Sequence, residues 1–207
     1  LADVEPSGVG LIQDFHGAGG LPALANELKS VLELDAITLT GKTFGEQISP
    51  RNAKNSTIRS IDNPIRTSGA FAVVFGNLAP MGAVLKVSAA SPELLQHSGP
   101  AVVFSGYEDM RARIDDSNLG ITKESVLVLA GCGAVGVPGM PEWGMIPIPK
   151  KLAAEGITDM VRVTDARMRG NSFGTCVLHV SPEGAVRGHL GLVHDGGGTQ
   201  LYATRST

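Results

Sequence analysis

Residues Val126 to Gly144 read VLVLAGCGAVGVPGMPEWG. Val126 to Ala130 form a short apolar run bounded by glycine, the pattern of a strand buried on both faces. Behind it Gly131, Gly133 and Gly136 stand at G-x-G-x-x-G spacing. A dinucleotide fingerprint needs a helix opening at the third glycine, because the helix N-terminus holds the pyrophosphate. Here Val137, Pro138, Gly139, Met140 and Pro141 follow, and two prolines around a glycine do not build that helix. The spacing instead predicts a stiff loop whose bare backbone comes close to something else. Glu142, between Pro141 and Trp143, is its one carboxylate. On such a loop it suits a hard cation such as Mg²⁺, or it is a solvated surface acid.

Working outward, Gly19 and Gly20 break structure, Pro22 suits a first helical turn, and Leu21, Leu24, Leu28, Val31 and Leu32 keep helical spacing, which predicts a helix ending near Leu34. AITLTGKTFGEQI reads as a short strand, a turn and a second short element, and 49–68 as a long polar loop. AFAVVFGNLAPMGAVLKVSA gives two β-branched runs, SPELLQHS a short helical start, GPAVVFSG a strand and YEDMRARIDD an amphipathic helix. PIPKKLAAEG is a short helix stopped by Gly156. MVRVTDARM, GTCVLHVSP and HLGLVHDGGGTQLYATRST are rich in β-formers. Strands and helices do not alternate regularly enough for a doubly wound parallel sheet. The expected fold is β-rich α/β, a barrel-like sheet with flanking helices.

The chain has 207 residues and a formal net charge of −3, which suits one sizeable domain or two small ones and gives no basic face for nucleic acid. No apolar run reaches membrane-spanning length, and no signal-peptide pattern is present. The first residue is Leu, as expected of a fragment or processed chain. Cys132 and Cys176 have no CxxC partner; the expectation is two buried reduced thiols in a cytoplasmic protein.

A second motif is GNSFG, Gly170 to Gly174, which matches the G-x-S-x-G nucleophile elbow. Ser172 would be the nucleophile, Glu183 the acid and His189 or His194 the base. Thr175, Val177 and Val180 follow, however, where an elbow needs a helix. His16 is placed in a glycine-rich turn before the first helix, and His179 in a strand as a structural histidine. Asn77 and Lys86 flank a Pro-Gly turn and are candidate substrate contacts. Asp165 and Arg167 flank Ala166 and are expected to hold the backbone of a turn.

The loop GCGAVGVPGMPE resembles the CGPxGxPGMPE segment of the dihydroxy-acid, phosphogluconate and sugar-acid dehydratases. DFHGAGGLPAL, GNLAPMGAVLKVSA, GPAVVFSGYEDMRARI, ITDMVRVTDARM, GTCVLHVSPE and GLVHDGG resemble further segments of that family in the right order. The resemblance implies that residues 1–207 are a single C-terminal swivelling β/β/α domain, without the family's N-terminal cluster-binding domain. It implies a hydro-lyase that turns a 2,3-dihydroxy acid into a 2-keto acid, using Mg²⁺ and an iron–sulfur cluster in the full-length protein, neither held by this fragment alone. The implied partners are a small sugar or hydroxy acid, the missing N-terminal domain and further copies in a homo-oligomer; a membrane is not among them. Glu142 matches the family's C-terminal Mg²⁺ ligand. One departure stands out. Where the family reads DARM-S-G-T, with serine as the expected base, this chain has Arg169 and Asn171. Arginine stays protonated and cannot take a proton, though it can pair with a substrate carboxylate. Arg187 and His189 also stand where the family usually has Gly and Pro. Three readings follow: a working dehydratase with an altered base, a lapsed dehydratase that binds a sugar acid or a partner, and a serine hydrolase using Ser172.

Overall fold

The computed structural model describes residues 1–5, 7–48, 53–67, 69–169 and 173–203, grouped in two compact units, Leu1–Gly69 and Ala70–Thr207. In the first unit α1 (Ile12–Gly17) and α2 (Gly20–Glu27) pack around Ala18, Ala23 and Ile58, and α3 (Phe44–Gln47) stands after them. His16 therefore lies on a helix rather than in a turn. α2 stops at Glu27, short of the predicted Leu34, and a 3₁₀ turn at Lys29–Val31 follows. Beyond it the chain turns at Leu34 and Asp35, and the carbonyls of Leu34 and Ala36 accept hydrogen bonds from Gly45 and Phe44. Only four residues long, α3 is fixed by a reciprocal cap: Thr43 Oγ1 accepts from the Glu46 amide, and Glu46 Oε2 accepts from the Thr43 amide.

The second unit is a mixed α/β fold built on one curled seven-stranded sheet, a half-barrel with few helices, as the β-rich pattern predicts. Its strands are β1 (Ala72–Val74), β2 (Ala83–Leu85), β3 (Gln96–Ser105), β4 (Val126–Ala130), β5 (Arg162–Thr164), β6 (Cys176–Leu178) and β7 (Gly198–Tyr202), in the order β1-β2-β6-β5-β4-β3-β7. The pairs β3–β4, β4–β5 and β5–β6 are parallel, and β1, β2 and β7 extend the sheet in antiparallel fashion. α4 (Tyr107–Arg113) links β3 to β4, and α5 (Lys150–Ala154) lies between β4 and β5. A regular β-α-β-α-β run thus sits inside a sheet whose irregular flanks hide it in the sequence. HLGL, read as β-rich, is a 3₁₀ turn at His189–Leu192.

β4 shows why the sheet is central. Val126 and Val128 pack on one face with Leu85, Val163 and Leu201; Leu127 and Leu129 pack on the other with Met110 of α4 and Leu152 of α5. A strand covered on both faces has no polar face to show, hence the unbroken apolar run. All parallel strands point the same way, so the loops after β4, β5 and β6 gather along one edge. Among the described residues no helix is long and apolar enough to cross a membrane.

Candidate functional site

The glycine loop starts where β4 ends, and two carboxylates hold it. Asp165 follows β5 and is 2% exposed. Its Oδ1 accepts from the Cys132 amide at 2.8 Å, and its Oδ2 accepts from the amides of Gly131 and Gly184 at 2.9 and 2.8 Å. Glu183 lies beyond β6, and its Oε1 accepts from the amides of Val135 and Gly136, both at 2.8 Å. These contacts explain the glycines. A Cβ on Gly133 would lie 1.9 Å from Glu183 Oε2, and one on Gly136 would lie 2.4 Å from the Gly131 carbonyl oxygen. Gly131 itself has φ +77°, a conformation that favours glycine. No helix opens behind Gly136, in keeping with the rejection of a dinucleotide site.

The far end of the loop is pinned by the segment after β5. The Gly144 amide donates to the Arg167 carbonyl at 2.8 Å, and Arg167 Nε donates to the Met140 carbonyl at 2.5 Å. Trp143 stacks on Tyr107 at the start of α4, with ring centroids 4.5 Å apart. Between these anchors stands Glu142. Its Oε1 is 3.3 Å from Arg167 Nη1, and its Oε2 accepts from Arg169 Nε at 2.6 Å. The structure thus brings Glu142 and Arg169 together. Asn171 and Ser172 lie outside the described residues. Asp165 and Arg167 are structural, as expected, but they bond to the backbone of other segments rather than of their own turn: Asp165 to Gly131, Cys132 and Gly184, and Arg167 to Met140.

Asn77 lies past β1 on this same edge and lines a cleft of about 530 Å³ with His189, His194, Thr199 and Gln200. His189 Nδ1 is 2.5 Å from the Asn77 carbonyl oxygen. Lys86 follows β2, which runs opposite to β6, so it stands at the other edge of the sheet; partial burial lowers its pKa. Asn77 and Lys86, nine residues apart in the motif, are therefore separated by the length of a strand. His179, expected within a strand, lies just past β6 in the left-handed region at φ +53°, exposed, with its amide donating to Ala166. Alternation with apolar neighbours is what made it read as a strand residue. Sequence reasoning missed Glu183 as an anchor, since nothing in the local pattern signals a carboxylate that caps amides nearly fifty residues away. GNSFG leads into strand β6, not the helix an elbow requires.

Cys132 and Cys176 are free and buried. Burial, reinforced for Cys132 by the nearby Asp165 charge, pushes both thiols up to about 11. Alkylation by iodoacetamide at pH 8 should therefore be very slow in the native protein and fast after unfolding, read by mass spectrometry. Rapid native labelling of Cys132 would show that the start of the loop opens.

Among the described residues no group of three His, Cys, Asp or Glu side chains is placed to hold a metal. Glu142 offers one carboxylate, already answered by two guanidinium groups. That donor set fits at most a single ligand to a shared ion.

The dihydroxy-acid/6-phosphogluconate dehydratase C-terminal family model matches residues 56–206, and its N-terminal counterpart matches residues 1–47. The chain belongs to the dihydroxy-acid/6-phosphogluconate dehydratase family. A Rhizobium meliloti protein carrying a dehydratase name is 49% identical over 99% of this chain and 36% of its own length. The 6-deoxy-6-sulfo-D-gluconate dehydratase of Pseudomonas putida is 45% identical over 95% of the chain and 34% of its own length. The L-arabonate dehydratase of Azospirillum brasilense is 44% identical over the whole chain and 36% of its own length. The chain thus spans about a third of the length of these dehydratase relatives. Within the dehydratase family match, the fold brings the Glu142 loop and the DARM segment side by side.

Proposed function

We propose that this chain is the C-terminal part of a longer hydro-lyase that removes water from a 2,3-dihydroxy acid. The C2 hydrogen leaves as a proton, the C3 hydroxyl leaves with its bonding electrons, and the resulting enol tautomerises to a 2-keto acid. The observation that carries the reading is the convergence of the Glu142 loop and the DARM segment at the carboxyl ends of the parallel strands, where open α/β sheets bind ligands. The names of the relatives support an acid bearing neighbouring hydroxyls as the substrate class. In this reading an iron–sulfur cluster and Mg²⁺ are held largely by the rest of the protein and supply Lewis acidity towards the leaving hydroxyl and the substrate oxygens.

The chain's own residues have narrower tasks. Asp165 and Glu183 hold the loop rigid, so that Glu142 is presented at a fixed place. Glu142 is the carboxylate this unit would bring to a shared Mg²⁺. Asn77 and the cleft beside it stand on the same edge, within the surface a sugar acid would meet. Arg169, where the family has its serine base, cannot accept the C2 proton. The ion pair between Arg169 and Glu142 also favours a second reading, a lapsed dehydratase that still binds the acid. Both readings place the protein in the cytoplasm, which its two free thiols suit.

The test is keto-acid release from D-gluconate, L-arabonate and 2,3-dihydroxyisovalerate by the full-length protein, with iron and Mg²⁺ restored. The working-dehydratase reading expects turnover by the natural sequence. Turnover only after combining Arg169→Ser with Asn171→Thr would establish the lapsed reading. No turnover in either, with a fluorophosphonate adduct on Ser172, would sink both and leave the hydrolase.

A further inference from the structure

Three charges meet at the site edge: Glu142, Arg167 and Arg169, with a formal sum of −1 + 1 + 1 = +1. The two arginines are used differently. Arg167 is committed to the loop, with Nε on the Met140 carbonyl and Nη1 on Glu142. Among the described residues Arg169 donates only through Nε, and its side chain is 70% exposed. Its Nη1 and Nη2 make no hydrogen bond among the described residues. A guanidinium carries its N–H donors in a rigid planar fork, and the edge between the two Nη atoms matches two oxygens of an anion. Glu142 takes the donor at the root of the fork, so the terminal edge is left facing outward.

Stability does not account for this arrangement. Ion pairs this exposed contribute about 0–1 kcal/mol. Location gives a better account: the fork stands directly after β5, beside the loop after β4, on the edge where ligands of such sheets bind.

We propose that Arg169 is a specificity-determining residue that binds an oxyanion of the substrate through Nη1 and Nη2, with Glu142 as its positioning partner. The inference rests on the reading of this edge as the acid-binding site of a dehydratase. The oxyanion is either the carboxylate next to the reacting carbons or an acid group at the far end of the molecule. Serine at this position would offer one hydroxyl and no charge, so the exchange trades a proton acceptor for an anion clamp.

Isothermal titration of the full-length protein with D-gluconate, D-glucarate and D-glucitol tests it, because these ligands carry one, two and no carboxylates on the same carbon chain. Arg169→Ser should weaken gluconate binding about tenfold or more while leaving glucitol unchanged. Arg169→Lys should recover part of the loss, since lysine keeps the charge without the fork. Glu142→Gln should weaken gluconate less than Arg169→Ser does. If gluconate is unaffected and only the advantage of glucarate over gluconate disappears, Arg169 reads the distal acid. Unchanged acid-to-glucitol ratios in Arg169→Ser would overturn the proposal, as would a natural protein that prefers neither acid over glucitol. Keto-acid release is scored separately, so a protein that binds acids through Arg169 without turning them over sinks the working-dehydratase reading and spares this one.

Discussion

Asp159→Ala should cost about 3–5 kcal/mol of stability in urea unfolding, because it strands a buried guanidinium. Arg162, the first residue of β5, is 1% exposed, and its Nη2 donates to Asp159 Oδ1 at 2.6 Å. Its remaining donors reach the carbonyls of Met160 and Ile146, which carry no charge. Asp159 in turn accepts from the Thr175 amide and hydroxyl and from the Ser91 amide. Burial by itself raises the Asp159 pKa, but the Thr175 hydrogen bonds, the Arg162 charge and a Ser91 side-chain hydrogen bond more than offset it, and the carboxyl sits below its ordinary value. A carboxylate depressed on folding adds stability above its unfolded pKa, about 3.9, and loses it as pH falls through the folded value. The natural protein should therefore weaken below about pH 4, and the alanine variant should lack that part of the acid limb. Gly174→Ala attacks the same pair from the other side. Its Cβ would lie 1.9 Å from Arg162 Nη2, at a φ of +100°. A loss below about 1 kcal/mol in Asp159→Ala would mean that Arg162 finds another counter-ion.

The second large effect is expected at Asp165, and it separates two carboxylates that look alike in the sequence. Asp165 uses both oxygens, one on Cys132 and one on Gly131 and Gly184. Asparagine would put an NH₂ group against at least one of those amides. Glu183 uses a single oxygen for both Val135 and Gly136, and glutamine keeps that oxygen. Asp165→Asn should thus cost about 2–3 kcal/mol, with faster hydrogen exchange at Gly131, Cys132 and Gly184, because buried donors lose their acceptor. Glu183→Gln should cost under about 1 kcal/mol by the same reasoning. Equal stability of Asp165→Asn and the natural protein would show that the loop is held by packing rather than by these bonds.

These anchors also show what could be read from the chain beforehand. The apolar run of β4, the stop at Gly156 and the absence of a helix after Gly136 follow from local chemistry, so the sequence displays them. That Asp165 has a structural role was legible, though its amide partners, 19 to 34 residues away, were not. The pairing of Glu142 with Arg169 was not, because it depends on β4 and β5 being parallel neighbours, which no local pattern encodes. Nor was the separation of Asn77 from Lys86, which follows from β2 running against β6. HLGL misleads because alternation of Leu with Gly imitates a strand, while Gly188 packs so closely on Pro182 that its Cβ would lie 1.9 Å from the Pro182 carbonyl oxygen. Family likeness supplied the chemistry, and the fold supplied the reason its two signature stretches sit together.

A crystal structure of the full-length protein with D-gluconate bound tests the central claim most directly. The account predicts the sugar acid at the carboxyl edge of β4 and β5, with its carboxylate oxygens within about 3 Å of Arg169 or of a cation held by Glu142. A sugar acid bound elsewhere, with the loop from Gly131 to Gly144 facing bulk solvent, would contradict it.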